Sequence, residues 1–269
     1  MKKDTQKAIL VVSFGTSHND TREKTIDVIE NDIREAYPDY QVNRAWTSKM
    51  IMRRVLQRDG VKIWSVSEAM EAMKQQGIED VIIQPTHVIN GLENEGMKEA
   101  ALRFQDDFHS ISFGNPLLTT EEDLDEMTEA VAKEYENLEE KEALVLMGHG
   151  TTHYADTVYA AMDYRFKDKG YSNIFLGTVE AYPRVDSLKR MLAAFAPRKL
   201  YLAPFMIVAG DHAKNDLSGE DESSWYRQFK REGYEVECIL KGLGEYKAVR
   251  KIFLRHIASL IRENSRICE

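Results

Sequence analysis

Residues 8–18 read AILVVSFGTSH, and residues 143–153 read ALVLMGHGTTH. Each stretch opens with five apolar residues and continues into a glycine, a threonine and a histidine. An apolar run of this length, ended by turn residues, is typical of a strand buried on both faces of a parallel sheet. The second stretch lies 135 positions after the first. The repetition predicts two α/β lobes that share one kind of strand-to-helix turn.

A second pair of landmarks supports the duplication. Pro85 and Gly91 stand six positions apart, as do Pro204 and Gly210, which lie 119 positions later. The shorter offset means that the first half carries 16 more residues between its landmarks than the second half does. We assign these extra residues to an insertion at about 48–64. The basic residues of this insertion are Lys49, Arg53, Arg54, Arg58 and Lys62.

Short apolar runs alternate with amphipathic helical segments along the whole chain, which predicts an α/β protein with parallel sheet. The predicted strands are 8–14, 41–46, 80–84, 110–113, 143–147, 173–178, 199–203 and 235–240. We place the first lobe at 1–138 and the second at 139–269, with the boundary in the charged stretch YENLEEKE at 135–142. Whether the last helix packs back onto the first lobe is left open.

Composition narrows the class of protein. The chain has 269 residues, with 36 Lys and Arg against 45 Asp and Glu, and its net charge of −9 argues against general nucleic-acid binding. No apolar run approaches the roughly 18 residues of a membrane helix, and the opening residues do not read as a signal peptide. Two cysteines, Cys238 and Cys268, are too few for a disulfide framework, so we expect a cytoplasmic protein.

Three side chains of the second half, His149, Glu180 and His212, come shortly after predicted strands. Ligands of open α/β sheets bind beyond the carboxyl ends of the strands, so these side chains are expected to converge. Two imidazoles and a carboxylate suit Co²⁺, Ni²⁺, Fe²⁺ or Zn²⁺ better than Mg²⁺ or Ca²⁺. Asp211 is a candidate to orient the imidazole of His212. Each residue alone could be an ordinary loop residue, but together they predict a transition-metal site.

The two halves share their turns but not their reactive side chains. On the repeat alignment, His149 corresponds to Phe14, and His212 corresponds to Glu93. One half therefore offers imidazoles, and the other offers an aromatic ring and a carboxylate. This pattern predicts a single site between two lobes of a duplicated scaffold.

The other histidines are weaker candidates. His153 has His18 as its repeat counterpart, which favours a structural role at a helix start. His87 follows the third strand and is either functional or buried. The sequence contains no HExxH, GxGxxG, GxxxxGK[ST] or GxSxG motif, which argues against a zincin, a dinucleotide-binding domain, a P-loop enzyme and an α/β-hydrolase.

Four motifs occur in order: SFGTSH after the first strand, MGHGTTH after the fifth, GTVEAYP after the sixth and IVAGDHAKND after the seventh. Together they resemble the motifs of the anaerobic-type sirohydrochlorin cobaltochelatases, class II chelatases related in fold to ferrochelatase. The resemblance implies two duplicated lobes, each a parallel sheet flanked by helices, with one cleft between them. It also implies a lyase that inserts Co²⁺ into sirohydrochlorin on the oxygen-independent route to cobalamin.

The same resemblance implies roles for individual residues. His149 and His212 would hold the metal and accept two pyrrole protons, and Glu180 would complete the metal site. Glu93 would be a further catalytic residue that steers the metal or takes a proton. Within the basic insertion, either the arginines face the substrate's carboxylates or the helix face is simply solvated. The residues expected to contact the substrate are Phe14, Gly15, Thr16, His87, Arg53 and Arg54.

Two alternatives stay open at this stage. Metal supply often decides which ion a site uses, so insertion of Fe²⁺ to give sirohaem remains an alternative, and Ni²⁺ is a further candidate metal. A tetrapyrrole or metal carrier without catalysis is the alternative from another class. We expect no organic cofactor and no nucleic-acid or membrane partner, and we leave association into a homo-oligomer open.

Overall fold

Two parallel four-stranded sheets form the framework of the protein. The computed structural model describes residues 6–267. The first sheet has the strand order β2-β1-β3-β4 and consists of β1 (Lys7–Ser13), β2 (Gln41–Trp46), β3 (Asp80–Pro85) and β4 (Ser110–Phe113). The second sheet has the order β6-β5-β7-β8 and consists of β5 (Glu142–Gly148), β6 (Ile174–Thr178), β7 (Lys199–Pro204) and β8 (Glu235–Cys238). Every neighbouring pair is parallel, and the two orders are equivalent.

Helices connect successive strands in both sheets. Those before β5 are α1 (Asn19–Lys24), α2 (Ile26–Ala36), α3 (Lys49–Asp59), α4 (Val66–Gln75), α5 (Leu92–Leu102) and α6 (Glu121–Glu134). Those after it are α7 (Thr157–Asp168), α8 (Val185–Phe195), α9 (Trp225–Arg231) and α10 (Lys247–Ile267). Short 3₁₀ turns cover Gln105–Asp107, Tyr154–Asp156 and Leu243–Glu245, and a π-helical turn covers Ala213–Leu217.

The predicted α/β class and the duplicated parallel sheets are confirmed, and all eight predicted strands occur with bounds shifted by at most two residues. The basic insertion forms α3, which begins at the N-cap residue Ser48, whose hydroxyl accepts a hydrogen bond from the N–H of Ile51. Ser65 and Glu68 then form a capping box that starts α4. The amphipathic pattern of the sequence also predicts a helix over residues 93–107, but the helix observed there, α5, ends at Leu102.

Contacts divide the chain into two compact units, one comprising the residues up to Thr119 together with those from Arg250 onward, the other Thr120–Val249. The sequence-based boundary after residue 138 therefore falls inside the second unit. Helix α6 belongs there because Arg165 of α7 forms ion pairs with Glu121 and Asp125 of α6. Most of α10 belongs to the first unit, where Arg250 pairs with Asp32 at 2.6 Å.

Each unit buries its own core. Residues 8–12 of β1 are fully buried, and α2 adds the apolar stripe Ile26, Ile29 and Ile33. In the second unit, residues 143–147 of β5 are equally buried, and Phe229 of α9 packs with the same cluster. Burying one Val, Leu or Ile side chain contributes about 1.5–3 kcal/mol, so these strands hold the turns that follow them in place. Within residues 6–267, no helix is long and apolar enough to cross a bilayer.

Candidate metal centre

The turn that carries His149 depends on two glycines. Gly148 ends β5, and a Cβ atom there would lie 2.5 Å from the buried ring of Tyr159. Gly150 has φ +84°, in the left-handed region, and a Cβ atom there would lie 2.8 Å from the backbone nitrogen of Ala181. Gly148 therefore leaves room for the Tyr159 ring beside the end of β5, and Gly150 turns the chain after His149, whose side chain is half-exposed.

His149, Glu180 and His212 lie together beyond β5, β6 and β7. One ligand atom from each lies within 4.8 Å of the others, and Nε2 of His149 is 3.9 Å from Oε1 of Glu180. The imidazole rings meet edge to face, with their centroids 4.6 Å apart. Two ligand atoms that are each about 2.1 Å from a metal stand about 3.0–3.4 Å apart, so small side-chain rotations would bring all three onto one ion.

Hydrogen bonds at the opposite ring nitrogens decide which imidazole atoms are free. Nδ1 of His149 is 2.8 Å from the carbonyl oxygen of Gly150, and Nδ1 of His212 is 2.7 Å from Oδ2 of Asp216. Carbonyl and carboxylate oxygens accept, so each Nδ1 carries the proton and donates it. In the neutral rings, Nε2 keeps its lone pair for a metal or a proton. The partner of His212 Nδ1 is Asp216, whereas the sequence pattern favoured Asp211.

Asp156 ties the loop of His149 to the loop of Glu180, a contact that sequence reasoning missed. Its Oδ1 accepts from the N–H of Thr151 at 3.0 Å, and its Oδ2 accepts from the N–H of Tyr182 at 3.2 Å. The N–H of Glu180 also donates directly to the carbonyl of His149 at 3.0 Å. One carboxylate therefore fixes two loops that each supply a side chain to the cluster.

His153 and His18 occupy equivalent positions as N-cap residues. Nδ1 of His153 accepts from the N–H of Ala155 at 3.2 Å, ahead of the 3₁₀ turn that leads into α7. His18 precedes α1 without a side-chain cap of this kind. The structural role at a helix start that was expected for His153 is confirmed.

The residues after β1 form the corresponding turn of the first unit. Phe14 is 42% exposed, which leaves its ring available to a ligand. Gly15 has φ +97°, and a Cβ atom there would lie 2.6 Å from the ring of Trp46. Thr16 is buried, and its hydroxyl accepts from the N–H of His18 at 3.2 Å. Gly15 and Thr16 therefore form and stabilise the turn that exposes Phe14.

His87 and Glu93 differ in exposure although both follow β3. His87 is buried, and burial lowers the pKa of its imidazole to about 4, while the nearby Asn94 side chain acts in the opposite direction. Glu93 is exposed in the first turn of α5, where the N-terminal end of the helix favours a negative charge. An exposed carboxylate can reach a ligand, whereas the His87 ring is held neutral inside the first unit.

Helix α3 brings arginines to the turn after β1. Nη1 of Arg54 is 3.3 Å from Oγ of Ser17, and Nη1 of Arg58 is 2.6 Å from the carbonyl oxygen of Ser17. Arg53 is exposed on the same helix. Two of these basic side chains therefore contact the turn that carries Phe14.

The family follows from comparison with known sequences. Residues 7–262 match the family described as cobalt chelatase (CbiK). The chain belongs to the cobalt chelatase family. This chelatase is 38% identical over 252 residues to the sirohydrochlorin cobaltochelatase of Salmonella typhimurium, covering 94% of its own length and 95% of that relative. It is 30% identical over 260 residues to the sirohydrochlorin cobaltochelatase CbiKC of Nitratidesulfovibrio vulgaris, covering 96% of its own length and 91% of that relative. The family expected from the four motifs is thereby confirmed.

Solved chelatases share the fold at low sequence identity. The sirohydrochlorin chelatase SirB of Bacillus subtilis subspecies spizizenii, solved in complex with cobalt, superposes on the cobalt chelatase with a TM-score of 0.63. The two are 12% identical, with 94% of each chain covered. At this identity the similarity concerns the fold, and it agrees with the two parallel-sheet units described above.

Proposed function

We propose that this chelatase inserts Co²⁺ into sirohydrochlorin with release of two protons, in the oxygen-independent synthesis of cobalamin. One observation carries the proposal: His149, Glu180 and His212 bring their ligand atoms within 4.8 Å of one another. The names of the two relatives, both sirohydrochlorin cobaltochelatases, support the same substrate and metal. Co²⁺ is a substrate here and leaves in the product.

The donor set suits an ion that must be released again. Two imidazole nitrogens and one carboxylate form a mixed set that binds Co²⁺ well. Three protein ligands leave coordination positions open, which is typical of catalytic rather than structural metal sites. The side chains of His149, Glu180 and His212 are 42%, 54% and 36% exposed, so the ion can enter from solvent and pass on to a macrocycle.

The same imidazoles can take the protons that the reaction releases. Metal insertion replaces two pyrrole N–H protons of the macrocycle by one Co²⁺ ion. As the ion moves to the pyrrole nitrogens, Nε2 of His149 and Nε2 of His212 regain their lone pairs. Each can then accept one proton, so the two rings balance the two protons lost.

Residues of the first unit complete the proposal. The exposed carboxylate of Glu93 would steer the metal or accept a proton, and the ring of Phe14 would offer an apolar surface to the macrocycle. Arg53 and Arg54 would pair with substrate carboxylates, which accept hydrogen bonds from guanidinium groups in a matched geometry. Direct substrate contacts of Gly15, Thr16 and His87 and a cytoplasmic location stay predictions, and association into a homo-oligomer stays open.

Multiple-turnover insertion tests the proposal against its alternatives. Sirohydrochlorin in excess over enzyme is followed by absorbance with Co²⁺, Fe²⁺ or Ni²⁺ in separate assays. We expect more than one equivalent of product per enzyme, fastest with Co²⁺. A preference for Fe²⁺ would favour sirohaem formation, and a halt at one equivalent would favour a carrier.

Variants connect that activity to the cluster. His149→Ala and His212→Ala should each abolish insertion without loss of folding. The matched control is His109→Ala, which removes an exposed imidazole that pairs with Asp80 in the first unit. Wild-type rates in either cluster variant would contradict the assigned site.

A further inference from the structure

Buried side chains and a hydrogen bond anchor the segment after His212. It forms a π-helical turn over Ala213–Leu217, an irregularity that is frequent at functional sites. Ala213 and Leu217 are fully buried. The hydroxyl of Ser218 donates to the carbonyl of Ala213 at 3.0 Å, which closes the turn. The backbone of Asp216 is therefore held between two buried side chains rather than lying in a loose loop.

Asp216 uses this fixed position to contact His212. Its Oδ2 lies 2.7 Å from Nδ1 of the imidazole, and both side chains are half-exposed. The equivalent nitrogen of His149 donates instead to the backbone carbonyl of Gly150. A backbone carbonyl persists under any substitution, so only the His212 tautomer depends on a side chain that mutation can remove.

We infer that Asp216 is a positioning residue for metal insertion, which holds His212 in the tautomer and ring orientation that present Nε2 to Co²⁺. The inference rests on the proposed function of His212 as a metal ligand. A neutral imidazole without a partner at Nδ1 divides between two tautomers, and the tautomer with the proton on Nε2 cannot bind a metal through Nε2. Carboxylate partners of metal-bound histidines fix both the tautomer and the ring orientation. Loss of such a partner typically lowers metal affinity or activity by about 10–100-fold.

Three variants of this residue separate positioning from a merely structural role. Asp216→Ala removes the contact. Asp216→Asn keeps the size but replaces the carboxylate with an amide, which can either accept from Nδ1 or donate to it, so the tautomer is no longer fixed. Asp216→Glu keeps a carboxylate on a longer side chain. We expect the Ala and Asn variants to raise the Kd for Co²⁺ by about 10–100-fold, and the Glu variant to restore a substantial part of the affinity.

Calorimetric titration with Co²⁺ gives these Kd values, and the absorption bands of the bound Co²⁺ report its ligands. In the Asn variant, we expect the bands to change and kcat for insertion to fall, while KM for sirohydrochlorin and the thermal unfolding midpoint stay near wild type. Glu220→Gln is the matched control, because it removes an exposed carboxylate eight residues from His212.

The outcomes distinguish this inference from the proposed function. If the wild type binds Co²⁺ and turns over, and His212→Ala loses binding, the function stands. In that case, wild-type Kd values and unchanged Co²⁺ bands in both Asp216→Ala and Asp216→Asn would overturn the positioning role. Failure of the wild type itself to bind or insert Co²⁺ would instead overturn the proposed function.

Discussion

Replacing Asp156 by alanine should weaken Co²⁺ binding although Asp156 is not one of the three proposed ligands. The substitution removes two acceptors, one for the N–H of Thr151 at 3.0 Å and one for the N–H of Tyr182 at 3.2 Å. The first bond is partly buried and contributes about 1.5 kcal/mol, and the exposed second bond contributes about 0.5 kcal/mol. The variant should therefore lose about 2 kcal/mol of stability, and its Tm should fall by about 4–8 °C.

Part of that loss should appear in metal affinity, because the two bonds hold the loops of His149 and Glu180 together. If Co²⁺ binding must supply half of the lost 2 kcal/mol to bring the two loops together, Kd for Co²⁺ rises about fivefold. Asp156→Asn keeps one acceptor and should show about half of each effect. Titration calorimetry and thermal unfolding measure both quantities, with Asp168→Asn at the far end of α7 as control. A Kd and Tm of Asp156→Ala that match wild type would refute the reasoning.

Three further perturbations follow from the structure. Burial holds the pKa of His87 at about 4, against 6.5 in the unfolded chain, so the unfolded state binds more protons between these pH values. The free energy of unfolding should therefore fall by about 3 kcal/mol as the pH drops from 6.5 to 4. Urea titrations at several pH values should show this pH dependence, and His87→Leu should reduce it. Gly150→Ala places a Cβ atom at a residue with positive φ and close to a backbone nitrogen. The substitution should lower the free energy of unfolding by about 1–3 kcal/mol and weaken Co²⁺ binding. A variant as stable as wild type would contradict the turn geometry. Glu30 is buried, and its Oε1 lies 2.6 Å from Nε of Arg44. Glu30→Ala should lower the free energy of unfolding in urea by about 3–5 kcal/mol, while the Co²⁺ affinity of the folded variant stays unchanged. A loss below about 1 kcal/mol would contradict this account.

The strands were predictable because their signal is local. Runs such as residues 8–12 and 143–147 are continuous apolar segments followed by glycine, and burial on both faces of a parallel sheet requires that composition. Repetition of the same turn in both halves added an internal check. The duplication predicted two similar lobes, and the equivalent strand orders of the two sheets agree with it.

Helix ends were less predictable because tertiary packing decides them. The helix expected over residues 93–107 ends at Leu102, since Phe104 and Phe108 turn toward the core of the first unit. A charged stretch at 135–142 also suggested a boundary between units, but ion pairs made by Arg165 assign α6 to the second unit. Neither the burial of these phenylalanine side chains nor the ion pairs of Arg165 can be predicted from the local sequence.

The proposed ligands could be predicted, but their supporting residues could not. His149, Glu180 and His212 all follow strands, and the topology of a parallel sheet brings such positions to one edge. Asp156 and Asp216 support them through contacts that depend on how individual loops turn. Asp211 stood nearer to His212 in sequence, but the π-helical turn brings Asp216 to its Nδ1.

Diffraction from crystals soaked in Co²⁺, recorded at the cobalt absorption edge, tests the central claim most directly. The account predicts an anomalous peak about 2.0–2.2 Å from Nε2 of His149, Nε2 of His212 and a carboxylate oxygen of Glu180. The peak should vanish in His212→Ala crystals treated in the same way. A cobalt peak on other residues, with none on this group, would contradict the account.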